Sequence, residues 1–326
     1  MNIAIVGATG EVGRMMIRCL AEFNVPVDKL VLFASPRSAG AHLYFIDQPV
    51  PVLALEESSL LQRFDYVLFS AGAGIARTYA PVATTAQSVV IDNSSGFRQE
   101  PHIPLIVPEI NGDLIQGYEG IIANPNCSTI QLVLPLAILH ALYGLKKVVV
   151  TTLQSVSGSG NSGIQTLLNQ RKGNPDKGEY PDVIDLNVIP QIGALLDNGY
   201  CKEEEKMHFE TRKILSLPDL EVCATTTRVP VIYGHSISVY AEFERQTSIP
   251  EAEAALRTAP SIVYHANSYF TPKDIDDSND SHISRLRHGT DRHSLCFWNV
   301  GHNVRLGAAT NAARILIAHA VFAGRM

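Results

Sequence analysis

The sequence predicts an α/β domain followed by an α+β domain with a larger, mixed sheet. Near the N-terminus, short apolar strands alternate with segments whose apolar residues recur at helical spacing, as in Glu11–Phe23. Such alternation is typical of a parallel sheet that is covered by helices on both faces. The later β-rich runs are longer and are separated by helices and loops, which favours a mixed sheet. Strands of the first domain are expected at Asn2–Val6, Leu30–Ala34, Tyr66–Ser70 and Val89–Asp92.

The second domain is expected to carry the longer strands, and the chain then returns to a helical pattern at Gly307–Phe322. We place the first domain at residues 1–126, together with a C-terminal helix at about 304–326, and the second domain at 127–303. The Pro- and Gly-rich span Gly173–Gly193 has weak periodicity, which predicts a long loop or lid. The expected strands of the second domain are Lys147–Ser155, Leu220–Val229, Ser236–Phe243 and Ser294–Val300.

Composition limits the classes of protein to which the chain can belong. Its 326 residues are 46% hydrophobic and 18% charged, which is usual for a globular protein with room for two domains. The net charge of −6 comes without a basic block, which argues against nucleic acid or an anionic membrane as a partner. No apolar run is long enough to cross a bilayer, and the first residues lack the pattern of a signal peptide.

The cysteines indicate a reducing compartment. Their odd number and scattered spacing argue against a disulfide framework or a zinc site. We therefore expect a soluble, cytoplasmic protein that holds no metal. The five positions are Cys19, Cys127, Cys201, Cys223 and Cys296.

Cys127 is the candidate nucleophile. Residues 124–129 read Asn-Pro-Asn-Cys-Ser-Thr, and a long apolar stretch with helical spacing follows them. A cysteine at the first turn of a helix faces unpaired N–H groups and the positive end of the helix dipole, both of which favour the thiolate. The alternative is a small buried apolar side chain, but the polar neighbours of Cys127 would make a poor core.

The first strand leads into a glycine turn that is suited to a dinucleotide. Gly7-Ala8-Thr9-Gly10-Glu11-Val12-Gly13 lies between a strand and a helix, which is the context that such a turn requires. The second strand ends in Ala34-Ser35-Pro36-Arg37-Ser38. An arginine and two serines stand where an NAD site would carry an acidic residue, which favours the phosphorylated cofactor NADP.

Further polar residues follow predicted strands or lie on a predicted helix. Arg98 comes after the last strand of the first domain, at the edge where α/β proteins bind ligands. Gln154 precedes a Gly/Ser-rich turn, and His235 opens a β run beside a glycine. Each has a purely structural alternative, such as surface ion pairing for Glu210, Arg212 and Lys213. Together they offer a thiol, an imidazole, amide and basic groups and a nucleotide site, the set needed for thioester chemistry coupled to hydride transfer.

These segments, taken in chain order, resemble those of the aspartate-β-semialdehyde dehydrogenase family. They span nearly the whole chain, and the segments around Cys127, Glu210 and His235 are far more specific than the glycine turn. They read GATGEVG, ASPRSAG, DNSSGFR, NPNCST, LQSVSGSG, NVIPQ through KMHFETRKI, and RVPVIYGHS.

The resemblance implies a role for each matching residue. Cys127 corresponds to the nucleophile, His235 to the acid/base, and Gln154 is counted with them at the catalytic centre. The implied substrate-binding residues are Gln154, Glu210 and Arg228. The implied residues for inorganic phosphate are Arg98, Asn126 and Lys213. The implied NADP contacts are Gly7, Thr9, Gly10, Glu11, Val12, Arg37, Ser38, Ser157, Gly158 and Asn303.

The resemblance also implies the architecture and the reaction. The fold would be a Rossmann-like NADP-binding domain plus an α+β catalytic and dimerisation domain, assembled as a dimer or tetramer. The reaction would be the reversible, NADPH-dependent reductive dephosphorylation of L-aspartyl 4-phosphate to L-aspartate 4-semialdehyde. It would pass through an acyl-thioester on Cys127 and serve the synthesis of diaminopimelate, lysine, methionine and threonine.

One segment departs from the family pattern. Where the family usually reads Asp-Asn-Leu-Arg-Lys-Gly-Ala, this chain has His302-Asn303-Val304-Arg305-Leu306-Gly307-Ala308. Asn303, which is thought to approach the nicotinamide, is kept, whereas the aspartate and the lysine are replaced. Cofactor affinity is the property that this departure affects most directly.

Two alternative functions remain open at the level of sequence. N-acetylglutamyl-phosphate reductases share the chemistry, but their cysteine segment usually reads Asn-Pro-Gly-Cys-Tyr, so Asn126 and Ser128 argue against that substrate. A non-catalytic NADP-binding paralogue is the other alternative. The presence of Cys127, Gln154 and His235 argues against it.

Overall fold

The computed structural model describes all residues from Met1 to Met326. The chain divides into two units, one formed by Met1–Pro125 with Ala308–Met326 and the other by Asn126–Gly307. The helices are α1 Glu11–Glu22, α2 Ala73–Thr85, α3 Pro108–Asn111, α4 Cys127–Tyr143, α5 Gly160–Gln170, α6 Lys202–Leu215, α7 Ile249–Thr258 and α8 Asn311–Phe322. The strands are β1 Asn2–Val6, β2 Lys29–Ala34, β3 His42–Phe45, β4 Gln48–Ala54, β5 Tyr66–Phe69, β6 Val89–Asp92, β7 Ile121–Ala123, β8 Leu145–Gln154, β9 Glu221–Arg228, β10 His235–Phe243, β11 Ile262–His265, β12 Ser281–His288 and β13 Ser294–Gly301.

The first unit contains a seven-stranded sheet in the order β3-β4-β2-β1-β5-β6-β7. All neighbouring strands are parallel except the β3–β4 hairpin. The central strands β1 and β5 are buried on both faces, because helices cover the sheet. The predicted α/β architecture is confirmed, and the four expected strands match observed ones to within a residue. Strands β3, β4 and β7 were not expected.

The C-terminal helix α8 completes the core of this first unit. Ile315 and Leu316 on α8 belong to the same hydrophobic cluster as Ile3 and Ile5 on β1. The chain therefore returns to the first unit after it leaves the second. The helical pattern at Gly307–Phe322 predicts the helix but not the unit against which it packs.

The second unit contains a six-stranded mixed sheet in the order β11-β12-β13-β10-β8-β9. The pairs β8–β9 and β11–β12 are parallel, and the other neighbouring pairs are antiparallel. The predicted mixed sheet is confirmed, and the four expected runs correspond to β8, β9, β10 and β13. The sequence analysis missed β11 and β12. None of the helices in either unit is long and apolar enough to span a membrane.

The span Gly173–Gly193 contains no helix or strand, as predicted, yet hydrophobic side chains anchor it. Tyr180, Ile184 and Ile189 are buried in a cluster with Val156 and Leu167. The backbone of Ile189 also pairs with that of Arg228, through N–H···O distances of 3.0 and 2.8 Å. These contacts fix the end of the span next to the last residue of β9.

Candidate active site

Cys127 is the first residue of α4, so the predicted position of the thiol at a helix start is confirmed. The preceding Asn126 has an extended backbone and caps the helix with its side chain. Its Oδ1 accepts hydrogen bonds from the N–H groups of Ser128 at 2.9 Å and Thr129 at 3.3 Å. The Asn-Cys-Ser-Thr sequence thus places the thiol at the positive end of a 17-residue helix.

Gly307 packs directly against the candidate nucleophile. A methyl group placed on Gly307 would lie 2.6 Å from Cβ and 2.9 Å from Cα of Cys127, so no larger residue fits there. The sequence analysis did not assign a role to this glycine. No local pattern indicates one, because the contact joins Gly307 at the end of the second unit to Cys127 at its start.

Two buried carboxylates on α6 hold the residue that precedes the thiol. Glu210 accepts a hydrogen bond from the backbone N–H of Asn126 at 2.6 Å, and Glu203 accepts one from Asn126 Nδ2 at 2.7 Å. Glu210 is only 1% exposed, and Glu203 only 5%. The sequence analysis assigned Glu210 to the substrate ammonium, and its position next to Asn126 places a negative charge close to the start of α4.

Glu203 is a site residue that the sequence analysis missed. Its Oε1 also accepts from Gln154 Nε2 at 3.3 Å, and its Oε2 accepts from Lys206 Nζ at 2.8 Å. Burial by itself would raise the pKa of Glu203. The ammonium of Lys206, the hydrogen bond from Asn126 and the charge of Arg228 outweigh that effect and lower the pKa to about 2. Glu203 is therefore ionised at neutral pH.

His235 is fully buried, and its ring is fixed by Ser155. The backbone N–H and the hydroxyl of Ser155 both lie 3.0 Å from His235 Nδ1. Because a backbone N–H can only donate, Nδ1 is unprotonated and the proton of the neutral ring is on Nε2. Nε2 makes no hydrogen bond within the protein. Burial, and then the positive charge of Arg228, lower the pKa of His235 to about 3.

Arg228 and His235 lie beside Gly158, which has no side chain. Arg228 Nη1 donates to the carbonyl of Ser155 at 2.7 Å. A methyl group on Gly158 would lie 2.9 Å from Arg228 Nη1 and 3.4 Å from His235 Nε2. Gly158 therefore keeps the space beside both polar groups clear. The second unit thus brings together the predicted residues Gln154, Gly158, Arg228 and His235.

The side chain of Asn303 makes hydrogen bonds to the residue before His235 and to Ser157. Its Oδ1 accepts from the N–H of Gly234 at 3.0 Å and from Ser157 Oγ at 3.2 Å. Its Nδ2 donates to Ser157 Oγ at 2.9 Å. The side chains of Asn303 and Ser157, both assigned to NADP contacts, are thus used within the protein in this arrangement.

The two residues that depart from the family pattern have structural positions. His302 Nδ1 accepts from the N–H groups of Val304 and Arg305, each at 3.3 Å, and its ring lies 5.4 Å from that of Tyr233. Leu306 is completely buried. His302 therefore closes the turn that leads to Gly307.

The glycine turn of the first unit has the geometry that a phosphate-binding turn needs. Gly7 has a φ of +83°, and a methyl group on it would lie 2.5 Å from the carbonyl oxygen of Ser70. A methyl group on Gly13 would lie 2.2 Å from the carbonyl oxygen of Gly7. Helix α1 begins at Glu11, with Gly10 as its N-cap and no side chain bonded there. The first turn of α1 is therefore not capped by a side chain.

The other predicted residues of the first unit follow strands at its carboxyl edge. Arg37 and Ser38 belong to a short turn, Pro36–Ser38, directly after β2, and Arg37 is exposed. Arg98 is 7% exposed and its Nη2 donates to the carbonyl of Asn93 at 2.9 Å. Of the other residues assigned to phosphate, Asn126 and Lys213 lie in the second unit, with Lys213 Nζ 5.7 Å from the ring centre of Phe209.

Comparisons with known proteins identify the family of the chain. The family model described as "Semialdehyde dehydrogenase, NAD binding domain" matches residues 2–118, and the one described as "Semialdehyde dehydrogenase, dimerisation domain" matches residues 136–306. The chain is 42% identical over 329 residues to the aspartate-semialdehyde dehydrogenase of Aquifex aeolicus, covering 96% of both chains. It is 39% identical over 333 residues to that of Bacillus subtilis, covering 97% of this chain and 96% of the relative.

A solved structure extends the likeness to three dimensions. The crystal structure described as aspartate semialdehyde dehydrogenase II complexed with ASA, from Vibrio cholerae, superposes with a TM-score of 0.93 at 38% identity, covering 97% of both chains. The chain therefore belongs to the aspartate-semialdehyde dehydrogenase family.

Proposed function

We propose that this protein is an NADPH-dependent aspartate-semialdehyde dehydrogenase that converts L-aspartyl 4-phosphate reversibly to L-aspartate 4-semialdehyde. The observation that carries the proposal is the position of Cys127 at the capped start of α4, in the unit that also holds His235 and Arg228. Relatives that are about 40% identical over nearly the full chain carry this name. The matches do not favour the two alternatives that the sequence left open.

Cys127 is the proposed nucleophile. Its thiolate attacks the acyl carbon of aspartyl phosphate, the bond to phosphate breaks, and an acyl-thioester remains on Sγ. Bound NADPH supplies a hydride to that carbonyl carbon. Expulsion of the thiolate from the resulting thiohemiacetal anion gives the aldehyde, so the thiolate is regenerated and no reductant other than the cofactor is needed.

His235 is proposed as a hydrogen-bond donor to the oxygen that becomes negative. The proton on Nε2 is available because Ser155 occupies Nδ1. Donation from a buried neutral ring stabilises an oxyanion without the cost of burying an imidazolium. Loss of one such donor typically costs about 3 kcal/mol of transition-state stabilisation. The sequence implied an acid/base at this position, whereas the role proposed here is that of a hydrogen-bond donor.

Charged residues are proposed to hold the two ends of the substrate. Arg228 would pair with the α-carboxylate and Glu210 with the ammonium, with Gln154 beside the reacting carbonyl. Arg98, Asn126 and Lys213 are the proposed ligands of inorganic phosphate. Arginine suits such oxyanions because its planar fork can donate two parallel hydrogen bonds.

The first unit is proposed to bind the cofactor, and the second to provide catalysis and dimerisation. The turn around Gly7 and Gly13 is tight, because a Cβ at either glycine would overlap a backbone carbonyl. A tight glycine turn of this kind lets the backbone approach a pyrophosphate. Thr9, Gly10, Glu11 and Val12 would surround it at the start of α1. Arg37 and Ser38 would contact the 2′-phosphate, which is the reason to prefer NADP over NAD. Ser157, Gly158 and Asn303 complete the proposed cofactor contacts.

Four further properties belong to this proposal. The protein would work in the cytoplasm, as the absence of paired cysteines suggested, and would act in the synthesis of lysine, methionine and threonine. It would assemble as a homodimer or homotetramer. Its small-molecule partners would be aspartyl phosphate, aspartate semialdehyde and inorganic phosphate.

The test is the formation of NADPH, followed at 340 nm, from L-aspartate 4-semialdehyde and NADP⁺ with phosphate, with arsenate and without either anion. Phosphate-dependent reduction supports both the reaction and the thioester. Replacing Cys127 by alanine should abolish turnover and leave NADPH binding unchanged. If the variant retains a tenth of wild-type activity, Cys127 is not the nucleophile.

Alkylation of the five thiols provides an independent control for the same residue. Cys223 is exposed, whereas Cys127 is partly buried, so accessibility alone would make Cys223 react first. An activated Cys127 should react faster than Cys223 despite its lower exposure. Failure to reduce NADP⁺ together with slow alkylation of Cys127 would favour a non-catalytic paralogue, and preference for N-acetylglutamate 5-semialdehyde would favour the other reductase.

A further inference from the structure

We propose that Glu203 is a positioning residue of the thiol site, whose carboxylate holds the side-chain amides of Asn126 and Gln154 in one orientation. The inference rests on the proposed function in so far as those two amides border the reacting thiol and the substrate. Glu203 itself was not among the residues that the sequence implied.

The two ends of the Asn126 amide face different groups. Oδ1 must face the N–H groups of Ser128 and Thr129, since it caps α4. Nδ2 must then face the opposite way, where Glu203 Oε1 accepts it at 2.7 Å. A flipped amide would place its NH₂ group against two N–H donors and its oxygen against a carboxylate, so the carboxylate selects the capping orientation.

Gln154 is bound by the same oxygen of Glu203. Its Nε2 donates to the same Glu203 Oε1 at 3.3 Å and lies 3.4 Å from Thr152 Oγ1. The NH₂ end of Gln154 is thus directed at Glu203, and the carbonyl oxygen of its amide is directed away from that carboxylate. One oxygen of Glu203 therefore sets the orientation of two amides.

Position 203 requires a carboxylate because all of its partners are donors. Three donors converge on Glu203: the amides of Asn126 and Gln154 on Oε1 and the ammonium of Lys206 on Oε2. A glutamine has one accepting and one donating end, so its NH₂ group would face either the two amides or the ammonium. Only the ionised carboxylate accepts from all three, and its pKa of about 2 keeps it ionised.

The neighbouring Glu204 is a matched control. It lies on the same helix and is 8% exposed, compared with 5% for Glu203. Its carboxylate accepts from the backbone N–H groups of Cys201 at 2.7 Å and Thr226 at 2.9 Å. Glu204 therefore stabilises the start of α6. These hydrogen bonds involve neither Asn126 nor Gln154.

The experiment compares Glu203→Gln with Glu204→Gln, using the rate of Cys127 alkylation by iodoacetamide at pH 7 and the steady-state kinetics. Loss of a negative charge alone would favour the thiolate and speed alkylation, whereas loss of the cap orientation displaces the thiol from the helix start. We expect Glu203→Gln to slow alkylation and lower kcat at least tenfold, with KM for NADPH unchanged. Glu204→Gln should stay within twofold in both measurements.

A double variant keeps the proposal testable if Glu203→Gln folds poorly. In Glu203→Gln/Lys206→Met the ammonium is gone, so the glutamine can direct its oxygen at both amides and its NH₂ group away from them. Alkylation should then recover to within threefold of wild type. Three results would each overturn the positioning role. They are faster alkylation of Cys127 in Glu203→Gln, equally slowed alkylation in Glu203→Gln and Glu204→Gln, and no recovery of the alkylation rate in the double variant.

The alkylation readout separates this inference from the proposed function. Should the wild-type protein fail to reduce NADP⁺ with the semialdehyde, the proposed function fails. The comparison of Cys127 alkylation in the variants still decides whether Glu203 positions the helix start.

Discussion

At the scale of the residue, the candidate site depends on which atoms of each side chain are already in use. Ser155 occupies Nδ1 of His235, so the ring can act only through Nε2. The residue type of His235 could be read from the sequence, but its tautomer could not. The tautomer depends on a serine 80 positions away, which the β8–β10 pairing brings alongside.

The state of His235 leads to a prediction about stability at acid pH. Burial and the charge of Arg228 lower its folded pKa to about 3, whereas an unperturbed histidine has a pKa of about 6.5. Below pH 6.5 the unfolded chain binds a proton that the folded protein does not bind. The stability contributed by the neutral ring is therefore lost as the pH falls from 6.5 toward 3, by about 2 kcal/mol between pH 7 and pH 5.

Urea unfolding of the wild type and of His235→Asn at these two pH values measures the effect. The variant should lose less stability on acidification, by about that amount, because it has no ring to protonate in the unfolded state. His282, whose pKa burial lowers to about 4, contributes equally to both proteins and cancels in the comparison. Equal losses in the two proteins would contradict the assignment of a neutral, buried His235.

At the scale of the element, helix starts and strand ends carry the predictable part of the site. The Asn-Cys-Ser-Thr and Gly-x-x-Gly-x-x-Gly segments are local patterns, so the start of α4 and the turn before α1 could be located from the sequence. Helix α6 was harder to interpret, because Glu-Glu-Glu-Lys resembles an exposed, ion-paired surface. Packing of α6 against α4 is what buries Glu203 and Glu210 and turns them toward Asn126.

Two helical glycines test the glycine turn with a matched control. Gly13→Ala in α1 should destabilise the protein by about 1–3 kcal/mol and weaken NADPH binding at least tenfold, because its methyl group would overlap the carbonyl of Gly7. Gly74→Ala in α2 meets no atom within 4 Å and should be neutral or stabilising by up to about 1 kcal/mol. Urea unfolding and NADPH fluorescence titration measure both effects. Binding within twofold of wild type in Gly13→Ala would show that this turn does not hold the cofactor.

At the scale of the whole molecule, the chain passes from one unit to the other twice, and the second unit begins and ends at the candidate nucleophile. Asn126 opens that unit and Gly307 closes it. Because Gly307 packs on Cys127, the two ends of the second unit meet at the thiol. The surroundings of the thiol are therefore built from both ends of the second unit. The helical pattern near the C-terminus indicated a helix, but not this contact.

The second unit also exposes apolar surface, which leads to a prediction about assembly. Leu186 is 95% exposed, Leu195 63% and Val188 57%, all within one irregular segment, and such exposure is typical of a surface that a partner covers. The matching family model is described as a dimerisation domain. Light scattering on the purified protein should give at least twice the chain mass of 35.5 kDa. The mass of a single chain at micromolar concentration would contradict the proposed homodimer or homotetramer.

The sequence by itself determined the features that depend on neighbours along the chain. These are the alternation of strands and helices, the glycine turn and the helix start at Cys127. The tertiary structure decided the features that depend on residues far apart, including the burial and ionisation of Glu203, the tautomer of His235 and the packing of Gly307 on Cys127. The physical reason is that local conformation follows from short-range sterics and hydrogen bonding, whereas charge state and orientation follow from which distant groups share a buried space.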